Sequence, residues 1–347
     1  MGRKPAVLVT GISGNLGMRL SRFLHDFEVV GVDMREPADA SGLVAFEKVD
    51  LSEERSCDQL LDLMNRWRPE AVAHLAFVVD PLRAGVIDHQ KMWNINVDGT
   101  GRVIEAIAEY NRSLGGIHKF IFPSSVSAYG PDLQKPARET TVLRAHTFPY
   151  ALHKRETDMA VQIRAASMKC RTYILRPAIF TGPTVQNFLM SVLRGRPGGQ
   201  GWIARKLRDR DTRLPLVLPL GKKYPEHRFQ FIHVDDVARL IAHIFHRTQA
   251  DPPLTILNVA GRGDLDLKTC AETARIGIRR LPGRAACRLL LSSMWKMGIS
   301  DVPPEALPYL LGSFIMDTTR LVSFLGKDYK NVIQFSSAEA LAEGVKC

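Results

Sequence analysis

Three glycines near the N-terminus constrain the fold of this chain more than any other feature of its sequence. An apolar stretch from Ala6 to Val9 leads into TGISGNLG at residues 10–17, and a helical pattern of apolar residues follows. Glycines at this spacing permit a tight strand-to-helix turn, a close backbone approach to a pyrophosphate, and close packing of the helix on the strand. The sequence therefore predicts the first β-turn-α unit of a dinucleotide-binding fold.

Candidate contacts to a dinucleotide follow from this first unit. The next strand, FEVVGVD, ends at Asp33, whose carboxylate can accept hydrogen bonds from the adenosine ribose hydroxyls. Arg35 complicates the choice of cofactor, because a nearby arginine can bind a 2′-phosphate. The sequence favours NAD and leaves NADP open. The turn residues that we expect to contact the cofactor are Gly11, Ser13, Gly14, Asn15, Leu16 and Gly17.

Strand-like runs alternate with helical stretches along the first half of the chain. Runs rich in Val, Ile and Phe occupy residues 43–51, 71–77, 118–125 and 170–178. This alternation predicts an α/β fold with a Rossmann-type, doubly wound parallel sheet, in which ligands bind at the carboxyl ends of the strands. His74 on its own is more typical of a buried structural histidine. The polar residues expected at those strand ends are Asp50, His74, Ser124, Ser125 and Arg176.

The length of 347 residues accommodates two closely joined parts. We expect residues 1–180 to form the NAD(P)-binding domain and residues 181–347 a smaller mixed substrate lobe, with residues 231–262 returning to the first domain. No apolar run approaches the ~20 residues that span a bilayer, so the sequence favours a cytoplasmic protein. The five cysteines lack paired spacing, which predicts reduced thiols rather than a zinc site or a disulfide framework.

The stretch FPYALHKRE places Tyr150 four positions before Lys154. On an α-helix this spacing puts both side chains on one face. Many solvated helices carry such a pair, so the spacing alone does not decide between a helix surface and a catalytic site.

Eight segments in a fixed order resemble the extended short-chain dehydrogenase/reductase family. This family includes nucleotide-sugar epimerases, dehydratases and 3β-hydroxysteroid-type dehydrogenases, and the resemblance covers residue 6 to about residue 240. It implies a Rossmann-type fold, a nicotinamide dinucleotide cofactor and a catalytic Tyr-x-x-x-Lys pair. The matching segments are TGISGNLG (10–17), VDL (49–51), HLA (74–76), NVDGT (96–100), PSSVSAYG (123–130), YALHK (150–154), LRPAIFTGP (175–183) and FIHVDDVA (231–238).

The resemblance implies catalytic roles for three residues. Hydride transfer from an alcohol requires a base for the hydroxyl proton, and the family similarity assigns that role to Tyr150. Lys154, together with the positive charge of oxidised nicotinamide, would lower the pKa of Tyr150, which is near ~10 in free tyrosine, and Lys154 would also bind the cofactor ribose. Ser125 would bind the substrate oxygen, with Ser124 as the weaker candidate. Further cofactor contacts implied by the family are Asp50, Leu51, Leu75, Ala76, Asn96, Tyr150, Lys154 and Pro177.

Departures from the family pattern weaken a standard nucleotide-sugar substrate. Ser125 is followed by Val126 and Ser127 instead of the Asp-Glu pair of the 4,6-dehydratases. Ala178 stands in the LRPAIF run, where many epimerases carry an asparagine, and Phe229 replaces a usual arginine. A nucleotide-sugar or related anionic substrate stays the first expectation. A hydroxysteroid-type dehydrogenase and a noncatalytic NAD(P)-binding subunit or sensor remain alternatives.

Positive charge is concentrated in one segment. Residues 191–230 contain ten Lys or Arg and three acids, within a net charge of +11 for the chain. This excess fits either an anion-binding substrate lobe or a solvated, flexible insertion. An RNA-binding derivative is the least favoured class, because no aromatic-rich motif accompanies the charges, and we expect no nucleic-acid partner.

A second basic stretch lies further along the chain. The segment at residues 280–299 mixes basic residues with Leu, Trp and Met. We interpret it as a helix of the C-terminal lobe, with membrane-surface contact as the alternative. Family members often pair two helices of each subunit across an interface, so a homodimer is also expected.

Overall fold

The computed structural model describes residues 4–79 and 88–346, and it places thirteen strands within them. Their bounds are β1 (Ala6–Thr10), β2 (Glu28–Asp33), β3 (Ala45–Lys48), β4 (Ala71–His74), β5 (Lys119–Pro123), β6 (Arg171–Pro177), β7 (Ile179–Thr181), β8 (Leu216–Pro219), β9 (Arg228–Phe229), β10 (Phe231–His233), β11 (Leu254–Val259), β12 (Leu265–Asp266) and β13 (Ile278–Leu281).

Fifteen α-helices connect these strands in the same described ranges. Their bounds are α1 (Asn15–Ser21), α2 (Ser56–Trp67), α3 (His89–Trp93), α4 (Gly99–Ser113), α5 (Pro149–Arg164), α6 (Phe188–Arg194), α7 (Trp202–Asp209), α8 (Lys223–Glu226), α9 (Val234–His246), α10 (Leu267–Thr273), α11 (Gly283–Lys296), α12 (Leu307–Leu310), α13 (Thr319–Leu325), α14 (Tyr329–Val332) and α15 (Ser337–Val345). A short 3₁₀ turn at Val126–Tyr129 follows β5.

Seven of the strands form one parallel sheet in the order β11-β6-β5-β4-β1-β2-β3. The chain winds outward from β1 through β2 to β3, then returns to β4 on the other side of β1 and winds outward again. A crevice opens where the winding direction reverses, outside the carboxyl ends of β1 and β4. The predicted fold class, a doubly wound parallel sheet of Rossmann type, is therefore confirmed.

Alternating residues of the central strands fill two apolar layers, one on each face of the sheet. Val7 and Val9 of β1 belong to the layer shared with α9, whereas Leu8 belongs to the layer shared with α2 and α4. The strands read as continuous apolar runs because both faces are covered by helices. Each fully buried aliphatic side chain contributes roughly 1.5–3 kcal/mol, so these layers fix the strand ends that border the crevice.

The last strand of the sheet comes from the second half of the chain. β11 pairs with β6 along its full length, from the Leu254 and Thr172 pair to the Val259 and Pro177 pair. Segments before and after β11 build a smaller lobe in which β8 and β13 run parallel and α11 packs on β8. The division of the chain at residue 180 stays a prediction. Across the described ranges, no helix is both long enough and apolar enough to cross a membrane.

Candidate active site

The glycine-rich turn between β1 and α1 is too crowded for larger residues at two positions. Gly11 has φ +73°, and a Cβ placed on it would lie 2.4 Å from the backbone nitrogen of Ala76. A Cβ on Gly17 would lie 2.4 Å from the carbonyl oxygen of Gly11. Only glycine fits these positions, so α1 starts close against the turn and leaves its first amides facing the crevice.

Asp33 is held at the edge of the same turn. Its Oδ2 accepts a hydrogen bond from the backbone amide of Ser13 (3.1 Å), and its Oδ1 accepts one from the amide of Arg35 (3.2 Å). The Ser13 hydroxyl donates to the carbonyl of Arg35. The side chain of Asp33 is half-buried while Arg35 is exposed, so the carboxylate rather than the guanidinium is fixed beside the turn.

A cavity of about 320 Å³ extends from the glycine-rich turn to the start of α5. Six sequence-predicted residues do not line this cavity: Ser13, Asp33, Asp50, Leu51, Ala76 and Asn96. The sequence-predicted residues that do line it are Gly11, Gly14, Asn15, Leu16, Gly17, Leu75, Ser124, Ser125, Tyr150, Lys154 and Pro177.

Two of the candidates outside the cavity stabilise the loops that border it. Asp50 Oδ1 accepts hydrogen bonds from the amide (2.9 Å) and the hydroxyl (2.7 Å) of Ser52, in the turn that precedes α2. Asn96 is fully buried, and its amide group bonds both the nitrogen (2.7 Å) and the carbonyl oxygen (3.0 Å) of Val78. These contacts fix the loop after β4 against the helix region that follows it.

Three hydroxyl groups meet at the centre of the cavity. The Ser127 hydroxyl donates to Ser125 Oγ at 2.8 Å, and the Ser127 amide donates to the same oxygen at 3.1 Å. Burial raises the pKa of Tyr150, while hydrogen bonds with Ser125 and Ser127 lower it by a smaller amount. Sequence reasoning missed Ser127 as a site residue, although its position two residues after Ser125 was the available signal.

The lowering of the Tyr150 pKa by Lys154 and oxidised nicotinamide stays a prediction, and in the protein alone Lys154 has other neighbours. Lys154 is buried, its Nζ donates to the carbonyl oxygen of Pro123 at 2.7 Å, and the same atom lies 3.5 Å from the ring centroid of Phe77. Burial lowers the pKa of Lys154 to about 7. Both side chains are therefore shifted toward their neutral forms, because desolvation outweighs any attraction between an ammonium and a phenolate.

Aromatic rings form the wall opposite the serines. Phe148 lies 5.9 Å from Tyr150, 5.4 Å from Phe188 and 5.4 Å from Tyr309, measured between ring centroids. Phe314 also lines the cavity. Phe148 precedes the helix that carries Tyr150, but the other three come from distant segments and gave no local signal in the sequence.

Lys154 is the sole charged side chain among the described residues that line the cavity. The cations of segment 191–230 lie elsewhere: Arg208 Nη1 donates to the carbonyls of Pro197 and Gly199, and Arg228 pairs with Asp264. Phe229 is buried against Phe314 rather than facing the cavity. The role of the segment in binding an anionic substrate stays a prediction that its position does not support.

Arg176 does not face the crevice, contrary to its expected place at a strand end. Its Nε and Nη2 each donate to a carboxylate oxygen of Asp158 at 2.8 Å, and its Nη1 donates to the Tyr129 hydroxyl at 2.9 Å. Arg176 and Asp158 are both almost fully buried. A charge at this depth requires a partner, and the partner on α5 turns the guanidinium away from the ligand side.

His74 is a buried structural histidine, as its residue type suggested. Its Nδ1 lies 2.6 Å from the hydroxyl oxygen of Thr10, and its Nε2 lies 3.0 Å from that of Thr100. Burial lowers the pKa of His74 to about 3, so its imidazole is neutral at physiological pH. Four described cysteines, Cys57, Cys170, Cys270 and Cys287, are free thiols, while Cys347 lies outside the described residues.

The sheet, the glycine-rich turn and the crevice at the reversal of the winding define a Rossmann-type nucleotide-binding protein. The chain belongs to the NAD dependent epimerase/dehydratase family, which matches residues 7–260. It thus belongs to a family of enzymes of the extended short-chain dehydrogenase/reductase type, and NAD is the expected cofactor.

Known relatives and structures agree with this family. The chain is 29% identical to a UDP-glucose 4-epimerase of Erwinia amylovora over 49% of its own length and 52% of the relative. It is 26% identical to an uncharacterized epimerase/dehydratase of Staphylococcus saprophyticus over 45% of its length and 47% of the relative. The chain thus spans about half the length of the curated relatives it matches.

The fold of the whole described chain is also similar to a solved structure. A UDP-glucose 4-epimerase of Thermus thermophilus, in complex with NAD, matches with a TM-score of 0.67 and 19% identity. The match covers 98% of this chain and 97% of that chain. This likeness establishes the fold, from the glycine-rich turn to the C-terminal lobe.

Proposed function

We propose that this chain catalyses NAD-dependent hydride transfer at a secondary alcohol or carbonyl, as an oxidoreductase or epimerase. The observation that carries the proposal is the meeting of Tyr150 with Ser125 and Ser127 in the cavity that begins at the glycine-rich turn. A phenol and two hydroxyls can handle the proton of an alcohol beside a dinucleotide. A protein that only binds NAD has no need of this arrangement.

In this proposal Tyr150, Ser125 and Ser127 have different roles in transferring the substrate proton. NAD, when bound, supplies the acceptor for the hydride that leaves the substrate carbon. Tyr150 Oη accepts the hydroxyl proton, Ser125 hydrogen-bonds the substrate oxygen, and Ser127 orients Ser125. Because burial raises the pKa of Tyr150, its phenol is protonated in the protein alone, which suits it to donate a proton when a carbonyl is reduced.

The ammonium of Lys154 has to leave its present hydrogen-bond acceptor and approach Tyr150 for the phenolate of Tyr150 to form. Its ammonium now donates to the carbonyl of Pro123. Turned toward the cofactor ribose and Tyr150, the same charge would stabilise the phenolate and bind the ribose hydroxyls. We therefore propose that cofactor binding and activation of Tyr150 are coupled through this one side chain.

The cofactor contacts proposed from the sequence fit the geometry of the turn. The amides at the start of α1 suit a pyrophosphate, and Asp33 suits the adenosine ribose. A carboxylate at this place disfavours a 2′-phosphate, which supports NAD over NADP. We propose that residues 1–180 bind the cofactor and that residues 181–347 complete the substrate side.

A nucleotide sugar is the first candidate substrate. Its support is the similarity to UDP-glucose 4-epimerases in sequence and in fold. In such a reaction the sugar hydroxyl would be oxidised and then reduced from the other face, so the cofactor would be regenerated in each turnover.

An apolar secondary alcohol, as in hydroxysteroid-type dehydrogenases, is the second candidate. The observation that favours it is the aromatic wall of Phe148, Phe188, Tyr309 and Phe314, together with Lys154 as the one charged side chain among the described residues that line the cavity. Burying the diphosphate of a nucleotide sugar beside such a wall is costly without paired cations. An apolar ring system would instead gain about 25 cal/mol for each Å² that it buries.

One experiment separates the two candidates. Purified protein supplied with NAD is offered UDP-glucose, UDP-galactose and a panel of 3-hydroxysteroids, while NADH absorbance and sugar interconversion are followed. Interconversion of the UDP-sugars without net NADH supports the epimerase, and net NADH with a hydroxysteroid supports the dehydrogenase. Turnover must be lost in Tyr150→Phe and kept in Tyr329→Phe, which removes a phenolic oxygen away from the cavity. Full activity of Tyr150→Phe would overturn the assignment of the base.

A homodimer and a cytoplasmic location complete the proposal. The surface of α5 carries exposed Met159 and Ile163 one helical turn apart, which is typical of a helix that pairs with another subunit. Light scattering would report the dimer, and Ile163→Glu should shift it to a monomer. Cell fractionation would test the location.

A further inference from the structure

Two helices of the C-terminal lobe present a surface that the proposed chemistry does not use. We name it the α7–α11 surface and define it by Trp202, Arg205, Lys206, Arg288, Leu289 and Met297. The start of α7 abuts the end of α11, because the Gly201 amide donates to the carbonyl of Gly298 at 2.9 Å. A Cβ on Gly201 would lie 2.7 Å from the carbonyl oxygen of Met297.

The large apolar side chains of this surface face solvent. Trp202 is 67% exposed, Leu289 71% and Met297 49%. On α7, Trp202 shares one helix face with Arg205 and Lys206, which follow it at the i+3 and i+4 positions and are also exposed. Apolar and cationic side chains therefore occupy the same exposed face instead of being separated into a buried face and a solvated one.

The charge around these apolar side chains is strongly positive. Residues 274–300, which include all of α11, contain six Lys or Arg and no Asp or Glu. Arg288 precedes Leu289 directly and is exposed. Such a surface attracts anions over a distance of about 8 Å at physiological salt.

We propose that the α7–α11 surface binds the face of an anionic phospholipid membrane. Trp202, Leu289 and Met297 enter the headgroup region, and the neighbouring cations pair with lipid phosphates. Tryptophan with aliphatic residues on a cationic helix face is the chemistry that suits the boundary between lipid and water. The protein binds at the surface and does not span the bilayer.

Two other occupants fit this surface less well. A second copy of the chain related by a two-fold axis would bring the same positive charges together, which is unfavourable. A nucleic acid would pair with the cations and could stack one base on Trp202, but it would leave the aliphatic side chains of Leu289 and Met297 without an apolar partner. Anionic lipid satisfies both the charge and the exposed apolar area.

Co-sedimentation with vesicles tests the proposal on the full chain. We expect binding to vesicles of phosphatidylcholine with about 30 mol% phosphatidylserine, little binding to phosphatidylcholine alone, and release at about 0.5 M salt. Arg205→Glu with Lys206→Glu should weaken binding about 25-fold or more, since each lysine or arginine near such a surface contributes about fivefold. Trp202→Ser should weaken vesicle binding about tenfold. It should also remove the blue shift of tryptophan fluorescence that we expect when the unchanged protein binds anionic vesicles.

A matched variant and a competing polymer complete the test. Leu114→Ser with Lys48→Glu changes an exposed leucine and an exposed lysine in the cofactor-binding half, and it should bind vesicles as the unchanged protein does. Equal binding by all variants, or no binding to the anionic vesicles, would overturn the proposal. Tighter binding of single-stranded RNA than of anionic vesicles would also overturn it and assign the surface to nucleic acid.

Discussion

Replacing Lys154 by methionine should stabilise the protein while damaging its activity. The ammonium of Lys154 is buried, with the carbonyl of Pro123 and the ring of Phe77 as its polar and aromatic neighbours. Burial lowers its pKa from 10.5 to about 7. Methionine keeps most of the unbranched side chain and carries no charge, so Lys154→Met removes the cost of burying the ammonium.

The sign and the size of this effect follow from the pKa of Lys154. The pKa is lower in the folded state than in the unfolded state, so the unfolded chain binds more protons between about pH 7 and pH 10.5. The lysine therefore destabilises the folded state fully below pH 7, and stability rises as pH increases through this window. A pKa shift of this size corresponds to a destabilisation of the folded state by roughly 5 kcal/mol. The loss of the hydrogen bond to Pro123 in the variant reduces the expected gain in stability by about 1 kcal/mol.

Urea unfolding of the cofactor-free protein measures the difference. The free energy of unfolding of Lys154→Met should exceed that of the unchanged protein by about 2–4 kcal/mol near pH 6. This difference in free energy should be smaller by roughly 3 kcal/mol near pH 9.5. The exposed Lys91→Met serves as control and should change stability by less than about 0.5 kcal/mol. A variant that is less stable than the unchanged protein near pH 6, or a difference that does not vary with pH, would refute the reasoning. The same variant should bind NAD more weakly and turn over slowly.

Three further results are expected. Tyr150→Phe should lower turnover by at least ~10²-fold in steady-state assays with little loss of NAD affinity, because only the proton acceptor is removed. Calorimetry should show tighter binding of NAD than of NADP, and Asp33→Ala should reduce that preference; equal affinities in the unchanged protein would count against the ribose role of Asp33. Asp158→Asn should destabilise the fold by about 3–5 kcal/mol in urea unfolding, since it leaves Arg176 buried without a charged partner, whereas an unchanged midpoint would show the pair to be dispensable.

The parts of the fold that depend on local sequence were predictable. The glycines of the first turn have to fit against Ala76 and Gly11, and the steric demand of that turn is visible in the order of residues alone. The parallel sheet followed from apolar runs that need helices on both faces. These features repeat over short distances, so one sequence carries enough information to predict them.

The environment of each charged side chain was not predictable in the same way. Arg176 stands at a strand end, where the fold favours a ligand, yet Asp158 binds it from a helix 18 residues earlier in the chain. The pKa shifts of Tyr150 and Lys154 depend on burial, and the sequence shows their spacing but not their desolvation. The aromatic wall has the same origin, because Phe188 and Phe314 meet Phe148 only after the lobe has folded.

The position of β11 far along the sequence affects how the sheet folds during synthesis. β6 is buried along nearly its whole length, yet its outer partner begins at Leu254, after 76 intervening residues that build part of the lobe. At a synthesis rate of about 5–20 residues per second, the outer edge of β6 remains exposed and unpaired for several seconds. A chain whose translation ends between residues 178 and 253 would expose this unpaired edge and would be prone to aggregation. Chaperone demand should therefore peak over residues 178–253 and fall once Val259 has emerged.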